Sequence, residues 1–366
     1  MASFYNGYSA PKAWAPNTWP YTADESTLGW RAKPLPPGLF PVMITPFRES
    51  DGGVDFEGLT ALTNWYIASG AAGLFAVAQS SEMHAMTPDE RLACARCVLA
   101  AARGRVPVVA SGSFPALGAG GAGVGAMAAS VNAMWGTGVA AVVMLACHMA
   151  REDEGDEAFR ANVAQLLART PGVTLGQYEC PKPYHRVCSA DTLAWLAQTG
   201  RFSFHKDTSR FYPLISAKLA ALQAAGLPRE NPFRFYNGNA TTLLHSLREG
   251  GAGGGVVCAN FYPHIIAWLC AHYEKAPRAL VARVHAFVAV ADAACKVHYP
   301  SSAKTYLREQ LGAPVSNASR EGAPFPPAGA APGDELRLRL AGLKELADGI
   351  SKECGIVGQT FGQRRE

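Results

Sequence analysis

With 366 residues, 49% of them hydrophobic, the chain has ample apolar material for a sizeable core, either as one large domain or as two ordinary ones. A net charge of +4 without any long run of basic residues argues against nucleic acid and anionic membrane surfaces as partners. The longest apolar stretches, such as Val139 to Cys147, fall far short of the roughly 20 residues that span a bilayer, so no membrane association is expected.

Residues 1–37 lack a basic start, an apolar run and a small-residue cleavage site, so they do not read as a secretory signal, and a cytoplasmic location is expected. The nine cysteines are an odd number, scattered among alanine, valine and leucine as buried free thiols would be. Cys94 and Cys97 match a C-x-x-C spacing but sit inside a helical pattern without a second pair. His148, His185 and His205 lack ligand spacing, so no metal is expected.

From Gly38 onward short apolar runs alternate with amphipathic stretches. The runs predict strands at Leu39 to Ile44, Gly73 to Val77, Val106 to Ala110, Ala140 to Leu145, Val173 to Tyr178, Phe202 to His205, Phe233 to Tyr236 and Gly255 to Cys258. Between and after them helices are predicted over Asp55 to Ser69, Pro88 to Ala102, Ala122 to Trp135, Asp156 to Arg169, Ala190 to Gln198, Pro213 to Ala225, Ala240 to Arg248 and Pro263 to Lys275. Strand followed by helix eight times over, in a span near the roughly 250 residues typical of that fold, predicts an α/β protein: a (β/α)8 TIM barrel with additional C-terminal helices. A doubly wound sheet is the alternative. The expected layout is an N-terminal extension at 1–37, the barrel at 38–276 and a C-terminal helical extension at 277–366. Within that extension, helical segments over Pro277 to Tyr299, Ser301 to Leu311 and Glu335 to Asp348 are broken by a Pro/Gly/Ala stretch from Gly312 to Gly333.

Gly118-Ala119-Gly120-Gly121-Ala122-Gly123 spells G-x-G-x-x-G, but dinucleotide binding also needs an acidic residue at the end of the next strand. Ala140 to Cys147 has none, so the glycines read as the entry to the third helix.

Active sites of such barrels form at the carboxyl ends of the strands. In Phe202-Ser203-Phe204-His205-Lys206-Asp207, alternation puts Lys206 on the face of Phe202 and Phe204. Apolar neighbours strip water from an amine and pull its pKa down from about 10.4, raising the nucleophilic fraction at neutral pH. A lone lysine in such a place more often leaves for solvent or pairs with its neighbour, here Asp207. Tyr178 ends the preceding strand, one barrel repeat earlier, and the pair suggests imine chemistry. Ala78-Gln79-Ser80-Ser81-Glu82 follows the second strand with hydroxyl and amide groups suited to a carboxylate, though Ser80 and Ser81 could merely shape a turn. Gly238 and Asn239 after the seventh strand, and Val257 at the eighth, complete the candidate substrate contacts.

Four segments together resemble the pyruvate-dependent class I lyases that include dihydrodipicolinate synthase and N-acetylneuraminate lyase, over roughly Gly38 to Gly312. Thr45-Pro46-Phe47 with Asp51-Gly52-Gly53-Val54-Asp55 is similar to that family's first strand end. Ala78-Gln79-Ser80-Ser81-Glu82 with Thr87-Pro88-Asp89-Glu90-Arg91 stands where the family has its carboxylate loop and helix start. Tyr178-Glu179-Cys180-Pro181 resembles its Tyr-Asn-x-Pro, and His205-Lys206-Asp207 its Ile-Lys-Asp/Glu. The resemblance implies Lys206 as the Schiff-base lysine, Tyr178 as the proton carrier, and Ser80 with Gln79 as the carboxylate anchor. No cofactor is implied beyond the covalent imine on Lys206. The implied partners are a 2-oxo acid such as pyruvate and an aldehyde, within a homodimer or homotetramer.

The chain departs from the family in three places. The carboxylate loop has lost both glycines. Ala146-Cys147-His148-Met149 stands where the synthases resemble one another in carrying a tyrosine pair. Pro183 replaces the arginine that receives a second carboxylate, with Tyr184 and Arg186 close by. An unpaired buried carboxylate is costly, so an aldolase or hydratase-aldolase of a less anionic substrate is expected rather than dihydrodipicolinate synthesis itself. The alternatives are a 2-oxo or sugar-acid dehydratase using the same imine, dihydrodipicolinate synthesis itself with Arg186 in place of the missing arginine, and an inactive binding paralogue.

Overall fold

Eight parallel strands make one sheet in the computed structural model, which describes residues 23–118, 122–227, 233–329, 331–358 and 360–361. They are Gly38–Leu39 (β1), Leu74–Phe75 (β2), Val108–Ser111 (β3), Ala141–Leu145 (β4), Leu175–Tyr178 (β5), Phe202–Asp207 (β6), Arg234–Asn237 (β7) and Gly253–Gly254 (β8). The order β1-β8-β7-β6-β5-β4-β3-β2 runs round in sequence, and a parallel bridge between Val42 and Phe75 joins the two ends. The sheet is therefore a closed barrel. The middle strands are buried along their whole length, as a sheet covered on both faces requires.

The first eight strand-linked helices after the short α1 (Glu25–Leu28) are Phe56–Ala68 (α2), Pro88–Ala102 (α3), Val124–Trp135 (α4), Asp156–Arg169 (α5), Ala190–Gln198 (α6), Tyr212–Ala224 (α7), Leu243–Arg248 (α8) and Pro263–His272 (α9). Their starts follow local chemistry. Asp55 caps α2 by accepting from Gly58 N, and Thr87 with Glu90 forms a reciprocal capping box ahead of Pro88 in α3. Beyond the barrel lie Arg278–Cys295 (α10), Ser301–Leu311 (α11) and Ala331–Glu353 (α12). α10 packs against α9 and α12. No described helix is long and apolar enough to cross a membrane.

One strand is displaced from its expected position. Gly255 to Cys258 was the apolar run, yet β8 is Gly253–Gly254, and a 3-10 turn occupies Val257–Asn260. The cause is steric: a Cβ on Gly253 would sit 1.7 Å from the Gly38 carbonyl oxygen, so only glycine lets β8 approach β1. Ala240–Thr242 is likewise a 3-10 turn ahead of α8, and α12 starts earlier than Glu335. Residues 1–22 of the expected N-terminal extension, and 119–121 of the glycine motif, lie outside the described residues. Leu35 and Pro36 close the amino end of the barrel, their carbonyls accepting from Arg234 Nε (3.1 Å) and the Tyr236 hydroxyl (2.7 Å).

Candidate active site

Inward-facing rings from five strands or their flanks build a floor inside the barrel. Phe204 lies 4.9 Å from Tyr236, 5.7 Å from Phe75 and 5.8 Å from Phe40 between ring centres, and Phe75 meets Tyr178 edge-on at 5.7 Å. Lys206 follows Phe204 by two residues, so strand alternation sets its side chain on this floor. Its Nζ is 4.2 Å from the centre of the Tyr178 ring. Register explains the meeting, because Lys206 pairs with Tyr178 on one side and Tyr236 on the other. Burial disfavours the ammonium and lowers the Lys206 pKa to about 7, with Cys180 opposing part of that fall. Burial also drives the Tyr178 phenol well above its ordinary value, so it stays protonated.

The stem of Lys206 has little room. A Cβ on Gly238 would lie 3.2 Å from its Cε and 2.6 Å from the Asp207 carbonyl oxygen, while one on Gly255 would lie 3.5 Å from Cε. Glycine at 238 thus lets β7's end pass beside the amine.

Behind the floor, on the outward face of the same strands, sits a charged cluster that the sequence reading missed. Lys218 of α7, fully buried, places Nζ 2.5 Å from Glu179 and 2.6 Å from Asp207. Burial alone would raise the Asp207 pKa, but the His205 bond and the Lys218 charge hold it well below the carboxylate range. Glu179 also accepts from Cys188 N and Thr208 N, both 2.9 Å. Glu179, His205 and Asp207 bring ligand atoms within 4.8 Å of one another, yet the Lys218 ammonium already stands between the carboxylates as the cation. The cluster locks β5 to β6 and so fixes Tyr178 against Lys206.

The loop after β2 is a 3-10 turn, Gln79–Ser81. Ser80 is buried and Gln79 half-buried, and neither backbone N–H is taken up by a backbone carbonyl among the described residues. Ser81 plays a different part from the substrate contact expected of it. Its hydroxyl accepts from Ala78 N (3.0 Å) and faces the carbonyls of Met43 (2.6 Å) and Ala76 (2.7 Å), so it is consumed in holding the turn. Asn239, half-buried, donates its N–H to Asn237 Oδ1 (2.7 Å), and Val257 opens the 3-10 turn after β8 with its carbonyl bonded to Asn260.

Glu82 closes the turn in a left-handed conformation, φ 60°. Its buried carboxylate meets Lys304 Nζ of α11 at 2.6 Å and accepts from Ser319 Oγ (2.7 Å), Arg320 N and Glu321 N (2.8 Å). Glu321 in turn accepts from Ala85 N (3.0 Å) and lies 3.6 Å from Lys182, in the loop after β5. The segment between α11 and α12 therefore forms part of the barrel's rim, a role no local pattern signalled.

Opposite Gln79 stand two thiols and two imidazoles. Cys180 Sγ is 3.6 Å from Gln79 Oε1, and Cys147 Sγ donates to the Lys182 carbonyl at 3.0 Å. Burial would raise Cys180, but bonds with Cys147 and His84 outweigh it and hold the thiol low. His84 and His148 rings lie 5.9 Å apart, with His148 Nδ1 2.6 Å from the Ser113 carbonyl. Arg186, the candidate for a second carboxylate, gives one nitrogen, Nη2, to the carbonyls of Glu154 and Gly155, while its buried Nε has no hydrogen-bond partner among the described residues.

A sequence model described as the Dihydrodipicolinate synthetase family matches residues 35–131, from just before β1 into α4. The 4-hydroxy-tetrahydrodipicolinate synthase of Gluconacetobacter diazotrophicus is 27% identical over 240 residues, 65% of this chain and 73% of the relative. That of Sorangium cellulosum is 42% identical, but over 78 residues only, 21% of this chain and 26% of the relative. Among solved structures, YagE, a prophage protein of the dihydrodipicolinic acid synthase family from E. coli in complex with pyruvate, superposes with a TM-score of 0.70. It is 20% identical, with 84% of this chain and 98% of that one covered. Dihydrodipicolinate synthase from Bacillus anthracis gives the same TM-score at 18% identity, covering 84% and 97%. Through its first strands in sequence and around the whole barrel in shape, the chain is similar to proteins of the dihydrodipicolinate synthetase family.

Proposed function

We propose that the protein is a Schiff-base-forming class I aldolase that joins or separates pyruvate, or a close 2-oxo acid, and an aldehyde. The observation that carries the reading is the buried Lys206 amine, its pKa lowered to about 7, lying 4.2 Å from the Tyr178 ring centre. Neutral Lys206 adds to the ketone carbon, and expulsion of water leaves an iminium. In cleavage a hydroxyl two carbons from the iminium gives up its proton, the carbon–carbon bond breaks to an aldehyde, and its electron pair enters the enamine of pyruvate. Tyr178, protonated and able to give or take through one oxygen, carries the proton. The Gln79–Ser80 turn receives the 2-oxo acid's carboxylate through Ser80 and the free N–H groups.

The same geometry supports a less anionic aldehyde. A second carboxylate needs a cation, and Arg186 turns its Nη2 to the carbonyls of Glu154 and Gly155. The wall on that side carries Cys147, Cys180 and His84 instead. Assembly as a homodimer or homotetramer and a cytoplasmic location complete the reading; one structural neighbour is described as a monomeric synthase variant.

The test is mass spectrometry after incubation with pyruvate and borohydride. The expected result is one stable adduct on the intact protein, none on Lys206→Ala. An intact protein that traps neither pyruvate nor larger 2-oxo acids would end the proposal.

A further inference from the structure

His148 ends the 3-10 turn Ala146–His148 at the carboxyl end of β4, whose last residue, Leu145, pairs with Tyr178. It is 3% exposed, and its ring is fixed on several sides. Phe114 meets it edge-on at 5.3 Å between ring centres, and His84, an exposed residue of the 3-10 turn Met83–Ala85, lies 5.9 Å away. Nδ1 stands 2.6 Å from the Ser113 carbonyl oxygen, and Ser113 is itself tied to β4 through its hydroxyl, which accepts from Leu145 N (2.9 Å). The same stretch is held to the loop after β5 by Cys147 Sγ on the Lys182 carbonyl (3.0 Å) and by the Tyr184 hydroxyl on the Ala150 carbonyl.

These contacts settle the tautomer. A carbonyl oxygen only accepts, so Nδ1 carries a hydrogen. Burial favours the uncharged imidazole by lowering its pKa, and an uncharged ring has a single N–H, so Nε2 is a bare acceptor. Nε2 has no hydrogen-bond partner among the described residues, yet unlike the unpartnered Nε2 of His205 it is not sealed from open space. Lys206, Tyr178 and the His148 turn thus follow one another on β6, β5 and β4, in the order of imine, proton carrier and free acceptor. A ligand hydroxyl can donate to such a nitrogen, a methyl leaves it unpaired, and a carboxylate sets lone pair against lone pair.

We propose that His148 determines aldehyde specificity: its Nε2 receives the hydroxyl of an uncharged hydroxyaldehyde that is joined to, or released from, the 2-oxo acid. The inference rests on the imine forming at Lys206.

The test compares condensation of pyruvate with glycolaldehyde, with propanal, which has a methyl in place of the hydroxyl, and with glyoxylate, which has a carboxylate beside the aldehyde. His148→Asn keeps an N–H for the Ser113 carbonyl but has no atom in place of Nε2, and His148→Phe keeps a ring without either nitrogen. In both, kcat/KM for glycolaldehyde relative to propanal should fall roughly tenfold, the scale of one hydrogen bond lost in a buried site, and glyoxylate should gain on glycolaldehyde. Comparing each variant with the wild type cancels the different reactivities of the free aldehydes. The Asn variant keeps the proposal testable should Phe disturb the turn. An unchanged preference, or equal losses for glycolaldehyde and propanal as a merely structural residue would give, overturns the assignment. Borohydride trapping of pyruvate by the wild type without any aldehyde separates the two readings. Trapping that succeeds while the preference ignores His148 sinks this inference alone, whereas a wild type that traps no 2-oxo acid removes the imine and this inference with it.

Discussion

The Lys206 amine and the Tyr178 ring face each other at 4.2 Å across directly paired positions of neighbouring strands. An ammonium so placed is favoured by the ring face but penalised by burial, and burial dominates. The rate of adduct formation with pyruvate should therefore rise with pH through a midpoint near 7, as the amine becomes neutral. Initial trapping rates across neutral pH measure it. A midpoint near the free-lysine value of about 10.4 would show an amine that is not desolvated.

The same burial makes Lys206 a weak point in the fold. In the unfolded chain the amine keeps its proton up to about pH 10.4, whereas in the fold it gives it up near 7, so unfolding takes up a proton between those values. Stability of the native protein should accordingly rise with pH over that window. Lys206→Met should be more stable than the wild type below pH 7, and its margin should shrink as pH climbs. Urea unfolding of both proteins at three pH values decides it; a margin independent of pH contradicts the argument.

Lys218→Met should cost about 3–5 kcal/mol, because it leaves Glu179 and Asp207 buried beside each other without their shared cation. Replacing both carboxylates with amides in that background should restore part of the loss. Chemical denaturation measures the stability, and trapping at saturating pyruvate tests the further expectation that Tyr178 and Lys206 lose their alignment.

Gly238→Ala and Gly255→Ala form a controlled pair. At 238 the added methyl would meet backbone at 2.6 Å, whereas at 255 its contacts begin at an ordinary 3.5 Å. The first should cost about 1–3 kcal/mol and displace the lysine stem, and the second should be nearly neutral for stability. Thermal unfolding and adduct yield for both variants make the comparison.

Glu82→Gln should destabilise the protein by about 3–5 kcal/mol, since Lys304 would keep a buried charge without its counter-ion. Adding Lys304→Met should recover much of that. Two single losses that simply add would show that the pair is not coupled.

The barrel was legible because each of its central strands is an apolar run with helical periodicity on either side. β8 was not, because its two glycines carry no hydrophobic signal and are there to let backbone meet backbone. Lys206 and Tyr178 could be read from strand alternation plus the repeat of the fold, both local regularities. Lys218 looked like any surface lysine of an amphipathic helix, and only the register of β5 with β6 brings the two acids to it. Tyr299 meets Asn260 beside a left-handed residue at 298, and Glu82 meets a lysine 222 positions away. Neither leaves a trace in periodicity or motif. Ser81 read as a ligand group because a hydroxyl in a strand-end loop gives no sign of which way it donates.

Glu82 bears on modularity as well as on the rim. It sits in the second strand-to-helix loop, while its Lys304, Ser319, Arg320 and Glu321 partners follow the last barrel helix. A barrel cut free after α9 would retain a buried carboxylate with every one of those donors removed. The eight repeats and the helices that follow should therefore unfold together, and the barrel should not be exchangeable as a cassette without its C-terminal partner.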